Sequence, residues 1–209
     1  MTRQTKSLTL AHSFPPIAGP HARLLILGSM PGRQSLARQQ YYAHPRNAFW
    51  YIMGELFEAY PDLPYPERKE ILIHRRVAVW DVLQQCHRPG SLDANIHAST
   101  EVANDLPQFL GQHPHIRLLV FNGRKAEEAF GKHVRPNLDN QKSLLLLKRV
   151  PSTSPAHAGL SRQEKLSCWR QAINFSRSNS GGWKKTQPRL PPSAARGTRD
   201  ATMEKCHDP

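Results

Sequence analysis

Arg23-Leu-Leu-Ile-Leu-Gly28-Ser-Met-Pro-Gly32 decides the fold of this 209-residue chain. The run is short, aliphatic and closed by glycine, the pattern of a strand buried on both faces, and such strands belong to parallel sheets. Three further runs repeat it: Val77-Ala-Val-Trp80, Arg117-Leu-Leu-Val-Phe121 and Ser143-Leu-Leu-Leu-Leu-Lys-Arg-Val150, the last stopped by Pro151. Helical periodicity fills the gaps. Ala48, Tyr51, Ile52 and Leu56 across 47–58, with Ala59 just after it, share one stripe, and Ile71 and Leu72 oppose charged residues across 65–75. Further helices are expected over 102–110, 124–132 and 161–175, the last with a Ser161-x-x-Glu164 capping box. Strands alternating with helices predict an α/β, three-layer sandwich with a central, mostly parallel sheet of about four strands. Ligands in such folds sit beyond the carboxyl ends of the strands, which directs attention to the loops after Gly28, Trp80, Phe121 and Val150.

Composition bounds the rest. The length suits one core, and we expect an N-terminal extension over 1–20, a domain over 21–175, and a basic tail over 176–209 too poor in aliphatics to offset its ordering entropy. The tail holds seven Lys/Arg against three Asp/Glu, so most of the net charge of +13 lies in the globular part. A sequence pI near 10.2 favours a polyanionic partner, because basic groups that neutralise phosphates release condensed counterions. No run of eighteen apolar residues and no signal-peptide core appear, so a soluble, cytoplasmic protein without a membrane partner is expected. Three cysteines and scattered histidines lack metal-ligand spacing, and we expect neither metal nor cofactor. The 28–32 loop also lacks the glycine and lysine pattern of a nucleotide-phosphate loop.

Gly28-Ser-Met-Pro-Gly32 is followed by an expected polar loop and then by Tyr41-Tyr42-Ala-His44-Pro45-Arg46-Asn47-Ala-Phe49-Trp50. Glycine at the strand end lets backbone approach a ligand closely, while the crowded aromatics offer flat faces for a base, with polar groups alongside. Trp50 reads better as a core anchor of the following helix. Together these two blocks resemble the first motif of the uracil-DNA glycosylase superfamily, nearest its mismatch-specific and hypoxanthine branches. Pro151-Ser-Thr-Ser-Pro-Ala-His157 resembles the second motif, and Phe121-Asn122-Gly123 fits between them in order. The resemblance spans roughly residues 20–175.

It implies a monofunctional DNA glycosylase of base-excision repair. Such an enzyme flips a deaminated base, hypoxanthine above uracil or a mismatched pyrimidine, out of double-stranded DNA and hydrolyses its N-glycosidic bond with water. A monomer working at the bacterial nucleoid is expected. Mismatch-type members carry Asn where this chain has Met30, a thioether unable to hold the attacking water. The resemblance therefore points to Asn47 as the catalytic residue. Asn is also a preferred helix cap, and one side-chain oxygen does not easily serve both roles. Gly28, Ser29, Met30, Tyr42, Phe49, Asn122, Ser152 and Ser154 are the expected base-binding residues, with Phe49 stacking on the base. Asn122 before glycine reads equally as a turn former. Arg46, Arg124, Lys125, Pro155, Ala156 and His157 are the expected DNA contacts, the 154–157 loop entering the minor groove; Arg149 and Arg162 are further phosphate candidates.

Asp81, after the second strand, is a rival to Asn47 as general base or water holder, and it equally suits a turn. Neither a serine nucleophile elbow nor a lysine at the motif positions is present, which leaves serine hydrolysis and Schiff-base strand cleavage unsupported. From another class, a catalytically silent nucleic-acid-binding module with the same fold remains the alternative.

Overall fold

The computed structural model describes residues 10–138 and 145–179, with side chains as far as Asn174. In chain order the elements are β1 (Leu10–His12), β2 (Leu24–Gly28), α1 (Arg33–Arg38), α2 (Phe49–Phe57), α3 (Tyr65–His74), β3 (Val77–Asp81), β4 (Leu83–His87), β5 (Val102–Ala103), α4 (Leu106–Gln112), β6 (Leu118–Asn122), α5 (Arg124–His133), β7 (Leu146–Val150) and α6 (Arg162–Asn179). The four aliphatic runs form one parallel sheet in the order β3-β2-β6-β7. Every residue of β2 and β6 is buried, as the continuous apolar runs require.

Side-chain alternation along the strands builds two cores, and these make three layers. Leu24, Ile26, Val77, Val79, Leu118 and Val120 face Ile52, Met53, Leu72 and Trp169 on α2, α3 and α6. Leu25, Leu27, Ala78, Leu119 and Phe121 face Leu106, Phe109, Ala126 and Phe130 on α4 and α5. Each fully buried leucine, such as Leu25, stabilises the fold by about 1.5–3 kcal/mol. The capping box closes as expected: Glu164 N donates to Ser161 Oγ at 3.2 Å, and Ser161 N donates to the Glu164 carboxylate at 2.7 Å.

Several elements depart from the sequence reading. The helix expected over 102–110 is split. Val102–Ala103 extends as β5, and Asp105 then caps α4 by accepting from Gln108 N at 2.9 Å. The loop expected after Gly32 contains α1. A second sheet, antiparallel in the order β1-β4-β5, lies beside the first. Within the segment assigned to an extension, Leu10–His12 pair with β4 and Ile17 bridges to Val79. The helix expected to stop at 175 runs to Asn179, while the tail from 180 and the start of the fourth run at 143–144 lie outside the described residues. No helix among the described residues is long and apolar enough to cross a membrane.

Candidate active site

The carboxyl ends of β2, β3, β6 and β7 open into one cleft of about 1180 Å³. Gly28, Ser29, Met30, Tyr42, Asn47, Asn122, Ser152 and Ser154, proposed from the sequence, all line it, as do Arg46, Arg124, Lys125 and the 155–157 segment. Gly28 faces Asp81 in register, and a Cβ at Gly28 would stand 2.5 Å from Asp81 Oδ1 and 2.9 Å from Tyr42 Oη. Only glycine therefore lets these two groups come together at the strand ends. Gly123, at φ 99°, turns the chain out of β6 where a Cβ would stand 2.9 Å from Ser152 Cβ.

The expectation for Phe49 is corrected. Its ring is fully buried and absent from the cleft wall, because Tyr42 stacks on it at 3.8 Å and 15° while Trp50 and Trp169 meet it edge-on. Tyr42, held at φ 54°, is the aromatic that meets the cleft. Trp50 does anchor α2: it is buried and donates from Nε1 to Tyr41 O at 2.9 Å. Asn47 Oδ1 accepts from Phe49 N at 3.0 Å, so the helix-entry role is filled at a residue that also lines the cleft.

Asn122 lines the cleft with its amide tied to the second motif. Its Nδ2 donates to Thr153 Oγ1 and its Oδ1 accepts from Thr153 N, both at 2.9 Å, tying the end of β6 to the second motif. In that motif Ser152 Oγ accepts from Ser154 N at 3.2 Å and Ser154 Oγ accepts from Ala156 N at 3.3 Å. A hydroxyl that accepts from the backbone keeps its own proton to donate. Buried Lys165 donates to His157 O at 2.7 Å and Ser154 O at 3.4 Å, fixing the loop from below, and burial lowers its pKa. Ala156 and His157 are exposed at the rim.

The expected phosphate contacts divide. Arg46 is exposed on the cleft wall. Arg124 pairs loosely with Glu128 at 3.3 Å and remains exposed, whereas Arg149 is joined to Glu127 at 2.8 Å. Lys125 is corrected: Glu101, whose side chain is 1% exposed, holds it at 2.5 Å together with Lys132 at 3.0 Å and His133 at 2.7 Å.

Sequence reasoning missed the loop after β4. Ser29 Oγ donates to Asp93 at 2.8 Å, and Arg33 N donates to Ser91 Oγ at 3.1 Å. Buried Arg88 donates to Met30 O at 3.2 Å and also to Pro31 O, holding the first motif from behind. Neither Arg88 nor Asp93 belongs to a motif, and only the tertiary fold brings them to Ser29. Asp81 is 3% exposed, and its Oδ2 and the Tyr42 hydroxyl are buried without hydrogen-bond partners. Burial pushes the Asp81 carboxyl up to about 8, with Asp93 adding to the rise and Arg88 opposing it. Leaving a buried polar atom unpaired costs about 1–3 kcal/mol, so two beside one cleft call for a ligand or water. Among the described residues no cluster of His, Cys, Asp and Glu is suited to a metal ion.

Comparison with known proteins agrees with this geometry. The model of the uracil DNA glycosylase superfamily matches residues 15–175. A hypoxanthine DNA glycosylase of Methanosarcina acetivorans is 38% identical over 120 residues, covering 57% of this chain and 75% of the relative. One from Methanosarcina barkeri is 35% identical over 116 residues, covering 55% and 72%. The solution NMR structure of a proposed uracil DNA glycosylase from Methanosarcina acetivorans superposes with a TM-score of 0.63 at 31% identity, covering 79% of this chain and 99% of that one.

Proposed function

The chain belongs to the uracil DNA glycosylase superfamily and is a DNA glycosylase, and from that premise we propose that it excises hypoxanthine from double-stranded DNA. The names of the two Methanosarcina relatives support the choice of base. The observation that carries the reading is the single cleft in which Tyr42, Asn47, Ser152 and Ser154 converge at the strand ends.

Hydrolysis of the N-glycosidic bond passes through an oxocarbenium-like sugar while negative charge grows on the base. A preorganised, partly dry pocket stabilises that charge because its donors need no reorganisation. Ser152 and Ser154 are the donors we assign to it, and Tyr42 is the face against which the flipped base lies. Asn47 Oδ1 is engaged with Phe49 N, but an amide oxygen has a second lone pair, and we assign that lone pair to the attacking water. Flipping costs a few kcal/mol, least at a mispaired base, which favours lesions over normal pairs. The 155–157 segment fills the gap left in the duplex, and Arg46 and Arg124 meet phosphates. Lys125 acts through Glu101. We extend the reading to a monomer working in the cytoplasm, at the nucleoid, and to a domain over 21–175 with its N-terminal segment packed against it.

A single-turnover assay on labelled duplexes bearing hypoxanthine, uracil or a G·T mismatch, developed with alkali to reveal abasic sites, tests this. Hypoxanthine is expected to be released fastest, with the product lost in Asn47→Ala. Faster release of uracil or of the mismatched pyrimidine would overturn the substrate assignment, and full activity of Asn47→Ala would overturn that of the catalytic residue.

A further inference from the structure

Asp81 is the group at the cleft that its surroundings explain least. It ends β3, opposite Gly28, is almost wholly buried, and yet reaches the cleft wall with Oδ2 unpartnered. Its carboxyl and the unpartnered Tyr42 hydroxyl converge on Gly28, 2.5 and 2.9 Å from the point a Cβ would occupy. The Asn122 amide beside them is tied to Thr153 through both Nδ2 and Oδ1.

Resting on the hypoxanthine reading above, we propose that Asp81 is the acid of the reaction: its Oδ2–H protonates the purine N7 as the base departs from its place against the Tyr42 ring.

The protons balance. The C1′–N9 bond breaks with its electron pair going to N9, and the Asp81 proton goes to N7, so hypoxanthine leaves neutral. Water adds to C1′, and the proton it sheds restores Asp81 through solvent. N7 is the more basic free ring nitrogen of this base, and uracil has no equivalent. A catalytic acid must hold its proton at working pH and yet be able to release it. The groups facing Asp81 arrange this. Burial raises its pKa to about 8 and Asp93, itself raised by burial, adds to the effect; buried Arg88 and the Tyr41 hydroxyl pull the other way. Burial and the neighbouring Asp81 likewise raise Tyr42, with Asn122 opposing, so the ring stays neutral.

Single-turnover rates measured between about pH 5.5 and 9.5 on hypoxanthine and 7-deazahypoxanthine duplexes, for the wild type and Asp81→Asn, test the role. The wild type is expected to hold its rate at low pH and lose about tenfold per unit above about pH 8. Asp81→Asn, which can donate a hydrogen bond but no proton, is expected to lose on the order of 10²- to 10⁴-fold on hypoxanthine and to lack the alkaline fall. On the 7-deaza base the substitution should cost nothing further. A wild-type rate that climbs with pH would assign the working form to the carboxylate and overturn the proposal. So would an Asn variant equally slow on both bases. The wild-type profile needs no variant to fold, and a wild type that releases uracil but not hypoxanthine would fault the substrate assignment independently of the pH slope.

Discussion

Asn122 and Thr153 exchange two hydrogen bonds of 2.9 Å, amide to hydroxyl and backbone N–H to amide oxygen, across 31 residues of sequence. This pair positions the second motif relative to the sheet. Asn122→Ala leaves the Thr153 N–H without its acceptor in a buried place, at a cost of about 1–3 kcal/mol. The melting temperature should fall by about 2–12 °C, and base release should slow because Ser152 and Ser154 lose their anchor. Asn122→Asp keeps an acceptor for the amide, and the threonine hydroxyl can turn to donate, so it should melt close to the wild type. Thermal melting of both variants checks this, and an unchanged Asn122→Ala would sink the anchoring role.

On the proposed mechanism one side chain at Asn47 serves two purposes, and two substitutions separate them. Asn47→Ala removes both the bond to Phe49 N and the water-holding oxygen, costing about 1 kcal/mol of stability along with activity. Serine is as good a cap as asparagine but too short to reach the same water, so Asn47→Ser should melt like the wild type and remain inactive. Equal activity of the serine variant and the wild type would assign Asn47 to helix entry alone.

The sheet was legible because burial on both faces leaves a continuous aliphatic run, and four such runs specify a parallel sheet almost without context. The cleft-lining glycine and serines were legible because the motif loops are local. What sequence did not disclose was pairing at a distance. Phe49 reads as a free ring until the fold lays Tyr42 on it, Lys125 reads as a free cation until β5 brings Glu101 to it, and Asn122 reads as a turn until Thr153 arrives. The two-residue strand β5 reads as helix in the sequence because Val102 and Ala103 are too few to show alternation.

Gly28 is expected to tolerate no side chain. Gly28→Ala sets a methyl 2.5 Å from Asp81 Oδ1 and 2.9 Å from Tyr42 Oη, forcing both polar groups aside at the end of an otherwise rigid strand. Displacements of this size at a reacting centre cost on the order of 10²-fold in rate. The fold should survive, since the contact is with side chains and the β2–β3 register is carried by four other residue pairs. Single-turnover kinetics with circular dichroism separate the two effects; a variant as fast as the wild type would show that the Asp81 and Tyr42 positions do not matter.

Glu101 should tie stability to acid. Burial alone would raise its pKa, but hydrogen bonds from His133, Lys125 and Lys132 overcome this and lower it from 4.5 to about 2. A carboxylate depressed in the folded state stabilises above its unfolded pKa, because the unfolded chain takes up the proton first. The contribution is therefore complete above about pH 4.5 and drains away as the pH falls towards 2. Glu101→Gln removes the charge that Lys125, Lys132 and His133 share and should lower stability at neutral pH by on the order of 2 kcal/mol, less than for a wholly buried pair because Lys132 is half exposed. Urea melts at pH 7 and pH 3 measure it: the gap between wild type and variant should narrow at the lower pH. A gap that stays constant would show that the loss comes from packing around β5 and not from the charge.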